Sequence, residues 1–416
     1  MGMDVEDPGK VGLSAERLDR IGPYFAQRYV EAGTLPGVLS AVARRGQLVH
    51  LEASGLRDVE RGVPMTEDTI FRLYSMTKPI TSVALMSLYE QGAFQLDDPV
   101  GNFLPELADL SVHVAGGGRQ AAEGPITVQH LLTHTSGLTY GFLNETDVDA
   151  LYREQRIGGL ESVGDLASMV TALGDLPLLF EPGTKWNYSV STDVCGRLVE
   201  VLSGMSLDAF FSERIFEPLG MVDTGFAVPA GQQDRFAACY IPHQGAGLGR
   251  AVDHRAASLH RIDDPTTSPY LQTPAFLSGG GGLVGTAADY LRFATMLLNK
   301  GELDGTRILG RKTVEFMTTN HLPTGGDLTS MGRSRFSETS YDGIGFGLGF
   351  SVMLDPARAH VIGSPGEFAW GGAASTMFWV DPQEELIAML LTQLIPSSTY
   401  PIRREMKALT YQALVD

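Results

Sequence analysis

A serine and a lysine stand three residues apart in the segment Ser75-Met76-Thr77-Lys78. A serine hydroxyl is a weak nucleophile at neutral pH, so it needs a base within hydrogen-bonding reach and donors for the oxyanion that develops on the substrate. Pro79 follows, and proline is tolerated only near a helix start, so the motif is predicted to occupy the first turn. Side chains at positions i and i+3 share one helix face. The segment therefore indicates a nucleophilic serine with a lysine as its proton-transfer partner.

The residues behind this motif favour a buried lysine. Residues 80–89 form an apolar run that is too continuous for a surface helix. A serine three places before a lysine is a weak signal alone, since on the order of one or two such pairs arise by chance in a chain this long. The chain has only six lysines, however, and Lys78 alone has a serine at this spacing. A purely structural lysine is the alternative that this motif by itself leaves open.

Tyr188 lies in a second candidate motif, residues 182–190, where a Pro-Gly turn leads into a predicted helix. A tyrosine in a turn more often packs than reacts. In the company of Ser75 and Lys78, its phenol could relay a proton, because phenols and lysines both have an unperturbed pKa near ~10. A Lys78 cation beside Tyr188 is expected to favour the phenolate.

A third motif, Trp370-Gly371-Gly372-Ala373, precedes a predicted strand. Glycines at the start of a strand allow a ligand to approach the backbone closely, and the N–H of Ala373 is expected to be an oxyanion donor. The positive amino end of the helix at Ser75 suits the same developing charge. A simple β-bulge at the two glycines is the alternative.

The composition argues against several classes of function. The chain has 416 residues, 43% of them hydrophobic, and a formal net charge of −18. Its length predicts two closely packed globular parts. Its charge would repel phosphate backbones and anionic lipids, so neither nucleic acid nor a membrane is an expected partner. The amino end lacks the pattern of a secretory signal and no apolar run could span a bilayer, so a cytoplasmic protein is expected.

No metal or cofactor site is expected. His130 and His134 have the i, i+4 spacing of a zinc helix, but the glutamate of H-E-x-x-H is absent. No dinucleotide-binding glycine motif follows a strand, and no G-x-S-x-G nucleophile elbow is present. Cys195 and Cys239 lie in apolar segments without metal-like spacing and are expected to be buried free thiols.

Strands and helices at the two ends of the chain are predicted from apolar periodicity. A hairpin is expected to turn at Arg45-Gly46, since two aliphatic runs flank this glycine. The predicted elements are a helix at 14–32, strands at 37–44, 47–53, 345–354, 375–380 and 386–392, and a helix at 400–415.

The middle of the chain has a mainly helical pattern, with helices predicted at 127–135, 163–173, 191–202 and 207–216. We therefore expect an α/β (α+β) fold, in which a central antiparallel sheet flanked by helices is assembled from both ends and an all-helical domain is inserted. The expected mixed α/β domain is 1–95 with 276–416, and the expected helical domain is 96–275. The functional site is expected in the cleft between them.

In these three motifs the chain resembles the serine β-lactamase and penicillin-binding protein superfamily, and most closely its family VIII carboxylesterases. Further matching segments are Leu131-Leu132-Thr133-His134-Thr135-Ser136-Gly137-Leu138, Pro218-Leu219-Gly220-Met221, and Gly-Gly-Leu-Val-Gly-Thr at 281–286. The resemblance implies that Ser75 is the acylated nucleophile, that Lys78 and Tyr188 transfer its proton, and that the N–H groups of Ser75 and Ala373 form the oxyanion hole.

Two residues depart from the related class C β-lactamases. Val190 replaces an asparagine two places after the tyrosine, and Trp370 replaces the lysine that begins the third motif. The amide and the cation would recognise the amide and carboxylate of a β-lactam, so their loss favours an uncharged acyl ester. Trp370, Gly371, Gly372 and Val190 are accordingly the expected substrate contacts.

The resulting hypothesis is a carboxylesterase that hydrolyses short-acyl esters of small molecules through acyl-Ser75, with weak β-lactamase side activity compatible with it. One alternative is an acyltransferase that passes the acyl group to an alcohol or amine, and another is a β-lactamase or D,D-peptidase. A non-catalytic binding module on the same fold is disfavoured because Ser75, Lys78 and Tyr188 are all present. The sequence predicts neither the natural substrate nor the oligomeric state.

Overall fold

Strands from both ends of the chain form one central sheet. The computed structural model describes residues 4–114, 116–158, 162–243, 246, 248, 258–332 and 341–416. The strands are β1 (Gly37–Arg44), β2 (Gln47–Asp58), β3 (Val63–Pro64), β4 (Phe71–Arg72), β5 (Ser111–Val114), β6 (Gly118–Ala121), β7 (Cys239–Ile241), β8 (His260–Asp263), β9 (Val284–Gly285), β10 (Glu302–Leu303), β11 (Thr306–Arg307), β12 (Ile344–Phe346), β13 (Ser351–Met353), β14 (Phe368–Gly371), β15 (Met377–Asp381) and β16 (Leu386–Leu391).

Eight of these strands pair antiparallel in the order β12-β13-β14-β15-β16-β1-β2-β3. Strand β16 from the carboxyl end lies beside β1 from the amino end, with Leu39 opposite Leu391. The predicted hairpin between β1 and β2 forms at Arg45-Gly46, where both residues have positive φ. The expected mixed fold with a central antiparallel sheet is therefore confirmed.

The central strands are buried on both faces. Along β1, Leu39 and Ala41 belong to one apolar cluster while Val38 and Val42 belong to the other. Because side chains alternate across a strand, a strand covered on both sides must be apolar throughout, as β1 is. Two layers of helices therefore enclose the sheet.

The helices are α1 (Ala15–Leu18), α2 (Ile21–Phe25), α3 (Thr77–Glu90), α4 (Val128–Leu132), α5 (Asp147–Glu154), α6 (Leu166–Gly174), α7 (Ser191–Ser203), α8 (Leu207–Phe211), α9 (Glu217–Leu219), α10 (Ala287–Leu298), α11 (Arg311–Met317), α12 (Leu328–Met331), α13 (Pro356–Ala359) and α14 (Ile402–Tyr411). Helices α2 and α14 cover one face of the sheet and α10 covers the other. In the part of the chain that the structure describes, no helix is both long and apolar enough to cross a membrane.

Two predicted elements are interrupted. The helix expected at 14–32 forms as α1, α2 and a π-helical turn (Ala26–Val30). Pro23 has no N–H to donate to the preceding turn, so the helix restarts with proline in its first turn. The strand expected at 345–354 is the hairpin β12–β13, which turns at Gly349 with a φ of 97°.

The segment expected to be all helical also contains strands. Helices α4 to α9 lie within it, but so do the hairpins β5–β6 and β7–β8. Strand β6 is exposed at all four residues, so it has no alternating apolar pattern by which the sequence could predict it. Cys195 and Cys239 are buried free thiols, as expected.

Candidate active site

Ser75 lies in a tight turn directly before the helix that carries Lys78. A 3-10 helix (Tyr74–Met76) runs into α3. Tyr74 has a φ of 45°, a left-handed conformation that costs a non-glycine residue about 1–3 kcal/mol. The hydroxyl of Tyr290 donates to the Met76 carbonyl at 2.9 Å. The fold thus holds a strained turn in place, and that turn presents Ser75 to a cavity.

The three side chains expected to react lie together. The hydroxyl of Tyr188 donates a hydrogen bond to Ser75 Oγ at 2.6 Å, and Lys78 Nζ lies 3.4 Å from the same oxygen. Lys78 Nζ also donates to the Gly280 carbonyl at 2.6 Å and to the Tyr140 hydroxyl at 3.1 Å. These bonds orient the lysine beside the serine oxygen.

Lys78 is only 2% exposed. Burial lowers the pKa of Lys78 to about 7, although the nearby Asp193 carboxylate acts in the opposite direction. A lysine with a pKa near neutrality is uncharged in a large fraction of molecules, and the uncharged amine can accept a proton.

The structure contradicts the expectation that Lys78 favours a Tyr188 phenolate. Lys78 Nζ lies over the Tyr188 ring, 4.5 Å from its centre. Burial raises the pKa of Tyr188, which outweighs the opposite effect of its hydrogen bond with Ser75. Tyr188 is therefore protonated in the resting site, because an enclosed phenolate would lose its hydration.

Two residues that the sequence did not mark complete this cluster. Asp193 is fully buried on α7, and one of its oxygens accepts hydrogen bonds from the Ser278 hydroxyl at 2.5 Å and the Gly280 N–H at 3.0 Å. Tyr140 contacts Lys78 through its hydroxyl. An acid within the apolar pattern of α7 could have indicated Asp193, whereas nothing distinguishes Tyr140 among 13 tyrosines.

The third motif forms the end of β14 and the turn after it, next to the nucleophile. A Cβ at Gly372 would overlap the Leu73 carbonyl, so only glycine allows this close approach. The N–H of Ala373 donates no hydrogen bond to another described residue, which leaves it available to a ligand. The ring of Trp370 lies 5.7 Å from that of Tyr188, measured between centres.

Val190 differs from the other expected substrate contacts. Its side chain is 0% exposed and does not line the cavity. It lies against Gly158, where a Cβ would overlap it. The turn before α7 directs this side chain into the core, and a substrate contact at Val190 stays a prediction.

The cavity around Ser75 has a volume of about 1010 Å³. Its walls are mainly apolar and come from distant parts of the chain: Tyr140, Phe142 and Ile157 from the middle segment, and Trp370, Gly372 and Ala373 from the third motif. A cavity of this size accommodates a substrate much larger than a simple short-chain ester.

The two histidines with zinc-like spacing have other partners. His130 Nδ1 accepts from the Thr127 N–H at 3.2 Å within a capping box, and His134 Nδ1 lies 3.2 Å from the Ser189 hydroxyl. Within the described ranges, no group of three or more histidine, cysteine or acidic side chains could hold a metal ion.

Comparison with known proteins identifies a family. The beta-lactamase family model matches residues 25–412. An uncharacterised protein of Mycobacterium tuberculosis is 37% identical over 373 residues, which cover 88% of this chain and 88% of that protein. Esterase EstB of Burkholderia gladioli is 34% identical over 403 residues, which cover 93% of each.

Among solved structures, EstCE1, described as a hydrolase with promiscuous acyltransferase activity, superposes with a TM-score of 0.77 at 29% identity, covering 95% of this chain and 99% of that one. The family match extends over most of the chain, and EstB aligns along nearly its whole length. The chain therefore belongs to the β-lactamase family of serine hydrolases, on the branch of the family VIII esterases.

Proposed function

We propose that this chain is a carboxylesterase that cleaves short-acyl esters of small-molecule alcohols through an acyl-Ser75 intermediate. The observation that carries the proposal is the contact of one serine oxygen with both the Tyr188 hydroxyl at 2.6 Å and Lys78 Nζ at 3.4 Å, beside a mainly apolar cavity. The esterase activity in the name of the relative EstB supports the same assignment.

In the proposed first step, uncharged Lys78 accepts the hydroxyl proton of Ser75 while the serine oxygen forms a bond to the ester carbonyl carbon. The N–H groups of Ser75 and Ala373 stabilise the oxyanion. Tyr188 then donates its proton to the leaving alcohol oxygen as the ester bond breaks, and the Lys78 ammonium returns a proton to Tyr188. In the second step, Tyr188 passes its proton to Lys78 and takes one from water as the water oxygen bonds to the acyl carbon. The Lys78 ammonium then protonates Ser75 Oγ as its bond to the acyl group breaks, and the acid is released.

Intact-protein mass spectrometry tests this proposal. Mixing the protein with an aryl butyrate or an organophosphonate is expected to add one acyl or phosphonyl group, and peptide mapping is expected to locate it on Ser75. The Ser75→Ala variant is the matched control and should gain no mass. A protein that forms no adduct with either reagent, or forms it on another residue, contradicts the proposal.

Transfer of the acyl group to a second alcohol is the other candidate function. The 1010 Å³ cavity favours it, because a short-acyl ester leaves space for an acceptor that competes with water. The description of EstCE1 includes promiscuous acyltransferase activity. Product analysis with a competing alcohol separates the two: a transferred ester supports acyl transfer, and free acid alone supports hydrolysis.

A further inference from the structure

The two expected oxyanion donors lie on segments that belong to different sheets. Ser75 follows β4, which pairs with β9 in a two-stranded sheet, whereas Ala373 follows β14 in the eight-stranded sheet. An oxyanion hole stabilises the developing charge only when its donors are directed at the same oxygen position, about 3 Å from each. The two segments must therefore be held in a fixed relation at this point.

The side chain of Gln393 hydrogen-bonds the backbone of the strand that leads to Ser75. Its Oε1 accepts from the Arg72 N–H at 3.1 Å, and its Nε2 donates to the Arg72 carbonyl at 3.1 Å. Oε1 also accepts from Arg72 Nη1 at 3.3 Å, and Nε2 donates to the Thr392 carbonyl at 2.8 Å. Gln393 and Arg72 are both buried. The amide thus uses both of its N–H groups and both acceptor positions of its oxygen.

The residue after Gln393 contacts the third motif. The Leu394 N–H donates to the Ala374 carbonyl at 3.2 Å, and the Leu394 carbonyl accepts from the Ser375 hydroxyl at 2.6 Å. Ala374 and Ser375 directly follow Ala373. Two adjacent residues just after β16 therefore connect the segments that carry the two donors.

A glutamine amide suits this position better than other side chains of its size. A carboxylate would face the carbonyls of Arg72 and Thr392 with acceptors only, and a thioether would leave the Arg72 N–H and carbonyl without partners. A buried backbone group without a partner costs free energy comparable to a lost hydrogen bond, so the backbone shifts toward another partner. Either replacement would therefore separate β4 from Gln393 and Leu394.

We propose that Gln393 is a positioning residue of the oxyanion hole, which fixes the N–H of Ser75 relative to the N–H of Ala373. The inference rests on the proposed esterase function and adds a residue that does not line the cavity. Between Arg72 and Ser75, Tyr74 has a left-handed φ of 45°, and such a conformation persists only where its surroundings hold it. When Arg72 is released, this turn relaxes and the N–H of Ser75 moves away from the oxygen position.

Two esters that differ in one atom test the inference. They are 4-nitrophenyl butyrate and its thionoester, in which sulfur replaces the carbonyl oxygen. Sulfur is a larger atom and a weak acceptor, so the oxyanion hole stabilises the transition state of the thionoester less. In Gln393→Met, the acylation rate constant for the oxygen ester is expected to fall about tenfold or more, with little change in ester binding. The thionoester should lose less, so the oxygen-to-sulfur rate ratio should fall about fivefold or more.

The ratio separates positioning from folding, because both rates come from one sample and do not depend on the fraction that is folded. The surface variant Gln383→Met is the matched control and should keep the ratio of the unmodified protein. Ser375→Ala, which removes only the hydroxyl that donates to Leu394, is a milder second variant and should lower the ratio in the same direction. Its control is Ser203→Ala, which removes a similar bond to a carbonyl in α7.

An unchanged ratio in Gln393→Met, or in Ser375→Ala if the first variant does not fold, overturns the inference, since a purely structural role lowers the two rates together. An unmodified protein without a preference for the oxygen ester also overturns it. In both cases the esterase proposal stands as long as the unmodified protein cleaves the oxygen ester. If neither ester acylates Ser75, both proposals are wrong.

Discussion

The hydroxyl of Tyr188 donates a 2.6 Å hydrogen bond to Ser75 Oγ, so the phenol is in direct contact with the nucleophile. Lys78 contacts the same oxygen from a different direction. Because burial lowers the pKa of Lys78 to about 7 and raises that of Tyr188, the lysine is the better proton acceptor and the tyrosine the better proton donor. This division of roles leads to distinct kinetic predictions.

Replacing Tyr188 by phenylalanine removes the proposed donor to the leaving alcohol. We expect kcat for an alkyl butyrate to fall about 10²- to 10⁴-fold. The loss should be smaller for 4-nitrophenyl butyrate, because 4-nitrophenolate leaves without being protonated. Steady-state kinetics with both esters check this, with the half-exposed Tyr400→Phe as the control. Near-normal turnover of the alkyl ester removes Tyr188 from the mechanism.

The activity of the unmodified protein should fall on the acid side. Below about pH 7 Lys78 gains a proton and can no longer accept one from Ser75, so kcat/KM is expected to decrease as the pH falls through this value. A pH-stat profile measures the decrease. Lys78→Arg keeps a permanent cation and should be inactive at every pH, whereas Lys312→Arg on the surface should match the unmodified protein. A flat profile between pH 5 and 8 contradicts this role for Lys78.

Replacing Asp193 by asparagine should shift the acid limb of the profile, the decrease in kcat/KM at low pH, to a lower pH. Burial lowers the pKa of Lys78 and the Asp193 carboxylate opposes this effect, so its removal lowers the lysine pKa further. The other groups facing Lys78 are Tyr140, Tyr188 and His134, and the variant leaves their charges unchanged. The profile of Asp193→Asn is compared with that of the exposed Asp175→Asn. A lower kcat without a shifted limb would mean that Asp193 only supports the fold.

A side chain at residue 372 should disrupt the third motif. The added methyl of Gly372→Ala overlaps the Leu73 carbonyl and forces the N–H of Ala373 away from the site. Loss of one oxyanion donor costs about 3 kcal/mol of transition-state stabilisation, so kcat should fall about 10²-fold or more. The control is Gly124→Ala, where the added methyl has open space. Equal kcat values for the two variants would show that the close contact of residue 372 with the Leu73 carbonyl has no role in catalysis.

Restoring asparagine at residue 190 should destabilise the protein without creating a β-lactamase. Val190 is fully buried, so an amide there loses its hydration without contacting the cavity. We expect Val190→Asn to lower the free energy of unfolding by about 1–3 kcal/mol, measured in urea. Val201→Asn, on the exposed side of α7, the helix that follows residue 190, is the control. Rapid turnover of a chromogenic cephalosporin by Val190→Asn would mean that residue 190 does reach the substrate.

Local patterns predicted the parts of the fold that neighbouring residues determine. The bounds of β1 are those expected from the sequence, because a strand covered on both faces has a continuous apolar run. Pro79 correctly placed Lys78 in the first turn of α3, because proline is excluded from later turns, whereas Ser75 lies in the 3-10 turn directly before that helix. The exposed strand β6 left no such pattern.

By itself, the sequence determined the nucleophile motif, the order of the three motifs along the chain and the apolar runs that form the central strands. Each of these depends on residues close together in the chain. Only the tertiary structure decided that Tyr140 and Asp193 surround Lys78, that Arg403 and Arg404 line the cavity, and that Val190 does not. The Gly280 carbonyl that orients Lys78 lies 202 residues away along the chain. Such contacts depend on how distant segments pack, and packing also sets the burial that shifts the two pKa values in opposite directions.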